Sequence, residues 1–146
     1  MKNRSAFLTL WANRLLMAVV VALAFAMPGI LRWYNKIRIM QENENLAMLI
    51  AFYLCVPIAL FALYNLEKLL GNIIAGDVFI RANMRIIRRV CGCCLLVSLI
   101  CLPAAFYYAP LIFFCIVMGF LCPVVNVVRY VFDAAVAIRE ENDLTI

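Results

Sequence analysis

From Val90 to Val128 the chain carries no Asp, Glu, Lys or Arg over 39 consecutive residues. As a single helix rising 1.5 Å per residue, this run would reach about 58 Å, nearly twice the ~30 Å of a bilayer's hydrocarbon core. It must therefore fold back on itself. The reversal is expected at Tyr107-Tyr108-Ala109-Pro110, where two interfacial aromatics and a proline need carry no charge across. Two spans follow, at about 90–106 and 111–132.

Two further charge-free runs lie upstream, Leu15–Leu31 and Leu46–Leu66. With Trp11, Trp33 and Tyr34 as headgroup-level anchors, they predict spans at about 15–34 and 46–66. Composition agrees: 68% of residues are hydrophobic and 14% charged, against about 45–50% and 25% in a soluble domain. Ala24-Phe25-Ala26 resembles a signal-peptide cleavage site. The segment is nevertheless expected to stay as a span, because its apolar run is long for a signal and charges bound it on both sides.

Lys and Arg are unevenly placed. If both termini lie in the cytoplasm, ten basic residues fall inside and three outside, and the reverse threading would invert that split. The positive-inside rule therefore predicts an N-in/C-in arrangement. The expected fold is an all-α integral membrane protein, one antiparallel four-helix transmembrane bundle over 1–146. It has a cytoplasmic hairpin at 67–89 and a cytoplasmic tail at 133–146.

Lipid is as apolar as leucine, so helices in a bilayer associate through close packing of small residues and occasional polar contacts. Each run carries such residues at helical spacing. The first has Ala18, Ala22 and Ala26, and the second has Ala47, Ala51, Cys55, Ala59 and Ala62. The third has Cys91, Cys94, Ser98, Cys101 and Ala105, and the fourth Cys115, Gly119, Cys122 and Asn126. All seven cysteines lie in apolar runs, which fits packing better than a disulfide scaffold. Cys91-Gly92-Cys93-Cys94 also invites a zinc or redox reading, but no second cysteine pair in a loop completes a four-ligand site. No metal and no cofactor is expected. Asn126 suits a hydrogen bond between helices, and Arg129 with Asp133 a local ion pair.

The charged segment Glu67–Arg89 is where the runs turn. A helix is expected to continue to Ile74, to stop at Ala75-Gly76-Asp77, and to restart near 78–80 without interruption into the third span. On that helix Arg81, Arg85, Arg88 and Arg89 share one face, and Ile80, Met84 and Ile87 another. The arginines suit anionic lipid headgroups, at about 1 kcal/mol each, or an acidic partner segment. The chain has one such segment of its own in Glu140, Glu141 and Asp143. Exposed ion pairs contribute only ~0–1 kcal/mol each, so any latch between tail and hairpin would be weak.

Chemistry is narrowly bounded. There is no histidine, which removes the commonest general base and nitrogen metal ligand. No charge lies inside the apolar runs 15–31, 46–66 and 90–128, whereas intramembrane charge marks proton relays and ion paths. An enzyme is not expected, nor direct nucleic-acid binding, since the net charge of +5 is the kind the positive-inside rule produces.

The chain resembles the bacterial membrane family catalogued as domain of unknown function 2975. The resemblance rests on Leu69-Leu70-x-x-Ile73, then Gly76-x-x-Phe79-x-x-x-Asn83 leading to Ile86 and Arg88-Arg89, and on the ending Ala137–Ile146. Relatives often carry Pro-Phe-Ser/Thr after the glycine. Here Val78-Phe79-Ile80 lacks the capping hydroxyl, and Asp77 is expected to substitute. The resemblance implies four membrane helices in the bacterial inner membrane and no established enzymatic activity. It also implies a cytoplasmic partner, since members are often encoded beside small helix-turn-helix regulators. The expected function is thus a regulatory or interaction protein whose hairpin and tail hold a soluble partner. The alternative is a small-molecule or peptide transporter or pore subunit acting as a homo-oligomer.

Overall fold

The computed structural model describes the backbone over residues 2–37, 42–76 and 80–143, and side chains over 7–37, 43–76, 80–138 and at Glu141. Its elements are four helices: α1 Lys2–Ile37, α2 Glu42–Ile74, α3 Arg81–Ala105 and α4 Pro110–Asp143. Among the described residues there is no strand. All four helices contain a segment long and apolar enough to cross a membrane, as in a multi-pass membrane protein. Their outward surface fits that setting: Phe25, Phe106, Phe113, Phe120 and Tyr130 stand exposed, an apolar surface water would not tolerate.

The helices outrun the apolar segments that announce them. At 33 and 34 residues, α2 and α4 are each roughly 50 Å long, so they project well past a hydrocarbon core. Most of the segment 67–89 is accordingly helix, α2 running to Ile74 and α3 starting at Arg81. The stretch 133–143, read from sequence as a tail, continues α4. Its Ala134, Ala135, Val136, Ala137 and Ile138 are apolar residues without a helix breaker. Pro28, Pro57 and Pro123 lie inside continuous helices, as spans tolerate.

The long uncharged run turns where its aromatics and proline indicate. The Tyr107 and Tyr108 N–H groups both donate to the Ala104 carbonyl, at 3.1 and 3.0 Å. Pro110 then opens α4, a position where its missing N–H costs nothing.

Neighbours in sequence are neighbours in space. Close Cα approaches join α1 to α2, α2 to α3 and α3 to α4, whereas among the described residues no Cα of α1 comes within 8 Å of one in α4. Asn13 meets Leu63, Arg14 meets Glu67 and Ala24 meets Tyr53. Cys55 meets Cys101 and Asn72 meets Asn83, while Cys91 meets Cys122 and Ser98 meets Cys115. One end of the molecule therefore gathers Arg14, Glu67, Asn72 and Asn83. The other gathers Tyr34 and Tyr108, whose hydroxyls lie 3.4 Å apart.

The core is thin and centred on α3. Val97, Cys101 and Cys115 are buried together, with Cys55, Ile58 and Met118 packed against them. Of the small residues, Cys55, Cys101 and Cys115 lie in this core and Cys91, Ser98 and Cys122 at the α3–α4 contact, but those of α1 do not take part. Ala18, Ala22 and Ala26 are exposed, and α1 turns Asn13, Met27 and Leu31 inward instead. In an all-apolar helix the small-residue stripe and the larger ridge have the same period, so spacing alone selects neither.

Gly119 gives a test of packing. A Cβ there would lie 3.5 Å from Ser98 Oγ, an ordinary van der Waals contact. Gly119→Ala should therefore keep or raise the unfolding midpoint in detergent, since Ala favours a helix interior by about 0.5–1 kcal/mol. Gly119→Leu should lower stability by about 1–3 kcal/mol through overpacking against α3. Equal midpoints for the two variants would contradict the α3–α4 contact.

Candidate functional site

The polar residues that the folded chain draws together lie at the end formed by the α2–α3 turn. α2 stops at Ile74 because Gly76 enters the left-handed region, φ 93, which a side chain would disfavour. Its N–H donates to the Ile73 carbonyl at 3.2 Å, and that of Ala75 to Gly71 at 3.0 Å. α3 begins after Ile80, which makes no side-chain cap. Asp77 and the family-motif residue Phe79 lie outside the described residues.

Asn83 locks this hairpin. It is fully buried, and Asn72 Nδ2 donates to its Oδ1 at 2.7 Å. Buried amides without partners are costly, so the pair fixes the register of α2 against α3. Of the three motif positions, Gly76 and Asn83 thus have structural work: one turns the chain and the other ties the turn down. Asn65 is also buried, donating to the Phe61 carbonyl at 2.7 Å, and Asn13 donates across to the Leu63 carbonyl at 3.0 Å. The Arg14–Glu67 ion pair, 2.8 Å, closes the α1 side.

The first turns of α3 are two-faced. Asn83, Met84, Ile86 and Ile87 are buried, whereas Arg81, Arg85, Arg88 and Arg89 are exposed. Arg81 and Arg85 line a cleft of about 390 Å³ with Met84, Asp133, Val136 and Ala137. The basic face therefore borders the far end of α4. Glu141 lies one helical turn beyond Ala137 on that helix. Glu140 and Asp143 belong to the same helix, but their side chains lie outside the described residues.

Arg129 does not pair with Asp133. Its Nη1 donates to Asn126 Oδ1 at 3.5 Å, and both charged residues instead line a cavity of about 170 Å³ with Asn126 and Tyr130. Asn126 thus makes its contact within α4 rather than between helices. Inside the helices the thiols gather. Cys91 Sγ lies 2.9 Å from Cys122 Sγ, and Cys55 Sγ 3.8 Å from Cys101 Sγ. Ser98 Oγ donates to the Cys115 carbonyl at 3.1 Å, and Cys115 Sγ to the Ser98 carbonyl at 3.5 Å. Cys94 is half-buried on the same helix. Among the described residues no group of three or more His, Cys, Asp or Glu could hold a metal ion.

Sequence reading found the arginine face and the motif positions but missed Asn72, Asn13 and Asn65. Asparagine adds nothing to a charge count, and the signal available was its position, within one turn of a charged residue: Asn13 beside Arg14, Asn65 before Glu67 and Asn72 after Lys68. The thiol pairs escaped for a different reason. Small-residue spacing places cysteines on a shared face without saying which will meet.

The family profile described as "Protein of unknown function (DUF2975)" matches residues 9–146. No curated protein and no solved structure matches the chain.

Replacing Asn83 by Ala should leave the Asn72 amide without its buried partner and destabilise the protein by about 1–3 kcal/mol. Asn72→Ala should have a similar effect, and the double variant less than the sum of the two. Gly76→Ala should cost about 1–2 kcal/mol because its backbone is left-handed. Thermal unfolding in detergent measures all four. Additive effects of the two asparagine changes would show that the pair carries no coupling.

Proposed function

This chain belongs to the DUF2975 family of proteins of unknown function, and from that premise we propose that it is a non-enzymatic interaction protein of the bacterial inner membrane. Its four spans run antiparallel with both termini in the cytoplasm, and the arginine-rich end of α3 is the surface that holds a soluble partner. The partner presents an acidic segment, as a small helix-turn-helix regulator does when it carries one. Anionic lipid headgroups flank the same arginines, and the acidic residues Glu140, Glu141 and Asp143 compete for them.

The observation that carries this reading is that the basic face is backed by a buried one. Arg85, Arg88 and Arg89 are exposed on the same turns whose Asn83, Met84, Ile86 and Ile87 are buried. Guanidinium groups held on a fixed helix lose less freedom on binding than those on a mobile arm. Threading is supported by the placement of charge, with Arg14, Glu67, Lys68 and the four α3 arginines toward one end. The antiparallel arrangement is supported by the order of contacts, residue 13 with 63 and 24 with 53.

A transporter asks for a polar path. The mid-bundle groove, about 330 Å³, is lined by residues such as Val20, Met27, Phe52, Cys55 and Phe114. That lining suits an acyl chain better than a solute, so the interaction reading is preferred.

Changing Arg85, Arg88 and Arg89 together to Gln should reduce co-purification of the cytoplasmic partner from mild detergent, by up to about a hundredfold, since exposed ion pairs contribute up to ~1 kcal/mol each. The fold should persist, because none of the three side chains is buried. Unchanged recovery of the partner, with the variant still folded, would remove the basic face from the interaction.

A further inference from the structure

Two of the seven cysteines are placed for a reaction that packing alone does not require. Cys91, on α3, and Cys122, on α4, bring their sulfurs to 2.9 Å, and the Cys91 thiol also lies 3.4 Å from the Cys122 carbonyl. A disulfide needs about 2.05 Å between the sulfurs, so bond formation asks for a shift of less than 1 Å. Thirty-one residues separate the two positions in sequence, and the bond would tie two helices rather than close a local loop. Neither thiol is fully buried, and the space beside Gly92 is open.

We propose that Cys91 and Cys122 are a redox-active dithiol, oxidised to an interhelix disulfide by a lipid-soluble quinone. Both thiols lie within segments long and apolar enough to span a membrane, with Cys91 two residues after Arg89 at the charged end of its segment, and a lipid-dissolved quinone can reach them there. The reaction balances with no other reactant. Two S–H bonds break and one S–S bond forms. The two hydrogens, with their two electrons, pass to the quinone, which leaves as the quinol.

The surroundings provide for the quinone ring. Asn126 and Arg129 follow Cys122 at i+4 and i+7 on α4, on the same face. With Tyr130 and Asp133 they line a hollow of about 170 Å³ on α4, open to the surface one turn beyond Cys122, against which a quinone ring with polar carbonyls could rest. Asn126 Oδ1 accepts from Arg129, which leaves the Asn126 amide N–H groups as donors to a quinone carbonyl. The second thiol contact, Cys55 with Cys101 at 3.8 Å, lies deeper and has no such polar neighbours. It is the internal control. The proposal does not depend on the partner assigned to the arginine face.

The test uses the full chain in detergent, reduced, then incubated with decylubiquinone, denatured and reacted with a maleimide-polyethylene glycol that counts free thiols on a gel. The reduced chain has seven free thiols. After the quinone the expected count falls by two, with a Cys91–Cys122 linked peptide in the mass spectrum and quinol appearing in the absorbance. C91S and C122S should each lose no thiols to the quinone, and C55S should still lose two. Retention of all seven thiols in the wild-type chain, oxidation by diamide but not by the quinone, or a linked peptide joining another pair would each overturn the proposal. Because the decisive reading is made on the wild-type chain, failure of a variant to fold does not blunt the test.

Discussion

A bilayer's interior offers no water to a backbone N–H or carbonyl, and that denial shapes the whole chain. Every peptide group at membrane depth must be satisfied within its own helix, so four apolar stretches have one solution. The same denial removes the hydrophobic effect as glue between helices, because lipid solvates Leu and Phe as well as another helix would. What remains is close packing and the few polar contacts the chain can place. The thin core around Val97, Cys101 and Cys115 follows from that, as do the many large apolar side chains left facing outward.

Polar contacts then acquire a weight they would lack in a soluble protein. Asn13, Asn65 and Asn83 are buried, yet none lies near the middle of its span. They cluster toward the end where α2 turns into α3, and there Asn72 and Asn83 set which residues of the two helices oppose each other. Gly76 and Asn83 act as one device. The glycine frees the backbone to reverse, and the amide pair selects one register from those the reversal allows. The arginines of α3 inherit their direction from that choice, since the turns that bury Ile86 and Ile87 leave Arg85, Arg88 and Arg89 outside.

Legibility in the sequence followed the same physics. Four helices apolar enough to cross a membrane, the turn at Tyr107–Pro110 and the stop at Gly76 were readable because each depends on local features: hydropathy, an interfacial aromatic, a residue able to adopt positive φ. The two faces at the start of α3 were readable because charge and apolarity alternate there with helical period. Deeper in the membrane that contrast vanishes. On α1 both the Ala18–Ala22–Ala26 stripe and the Met27–Leu31 ridge are apolar, and nothing local says that the ridge packs inward. Pairings such as Asn72 with Asn83, or Cys91 with Cys122, depend on how two helices are set against each other, which no single stretch encodes.

α3 is the element on which these constraints converge. Among the described residues its Cα atoms come close to those of both α2 and α4, while those of α1 come close to α2 alone among the helices. Near its start Asn83 anchors it to α2, and two turns later Cys91 meets Cys122 of α4. The exposed arginines lie between or just beyond those two anchors, on a stretch that cannot rotate without breaking one of them. The cleft shared by Arg81, Arg85 and Asp133 is bounded by the same two helices. Its width therefore depends on how firmly α4 is held against α3, and the contacts that hold them include Cys91–Cys122 and, farther along, Ser98–Cys115. A covalent bond at the first of these would narrow the range of positions open to the far end of α4, and with it the space beside the basic face.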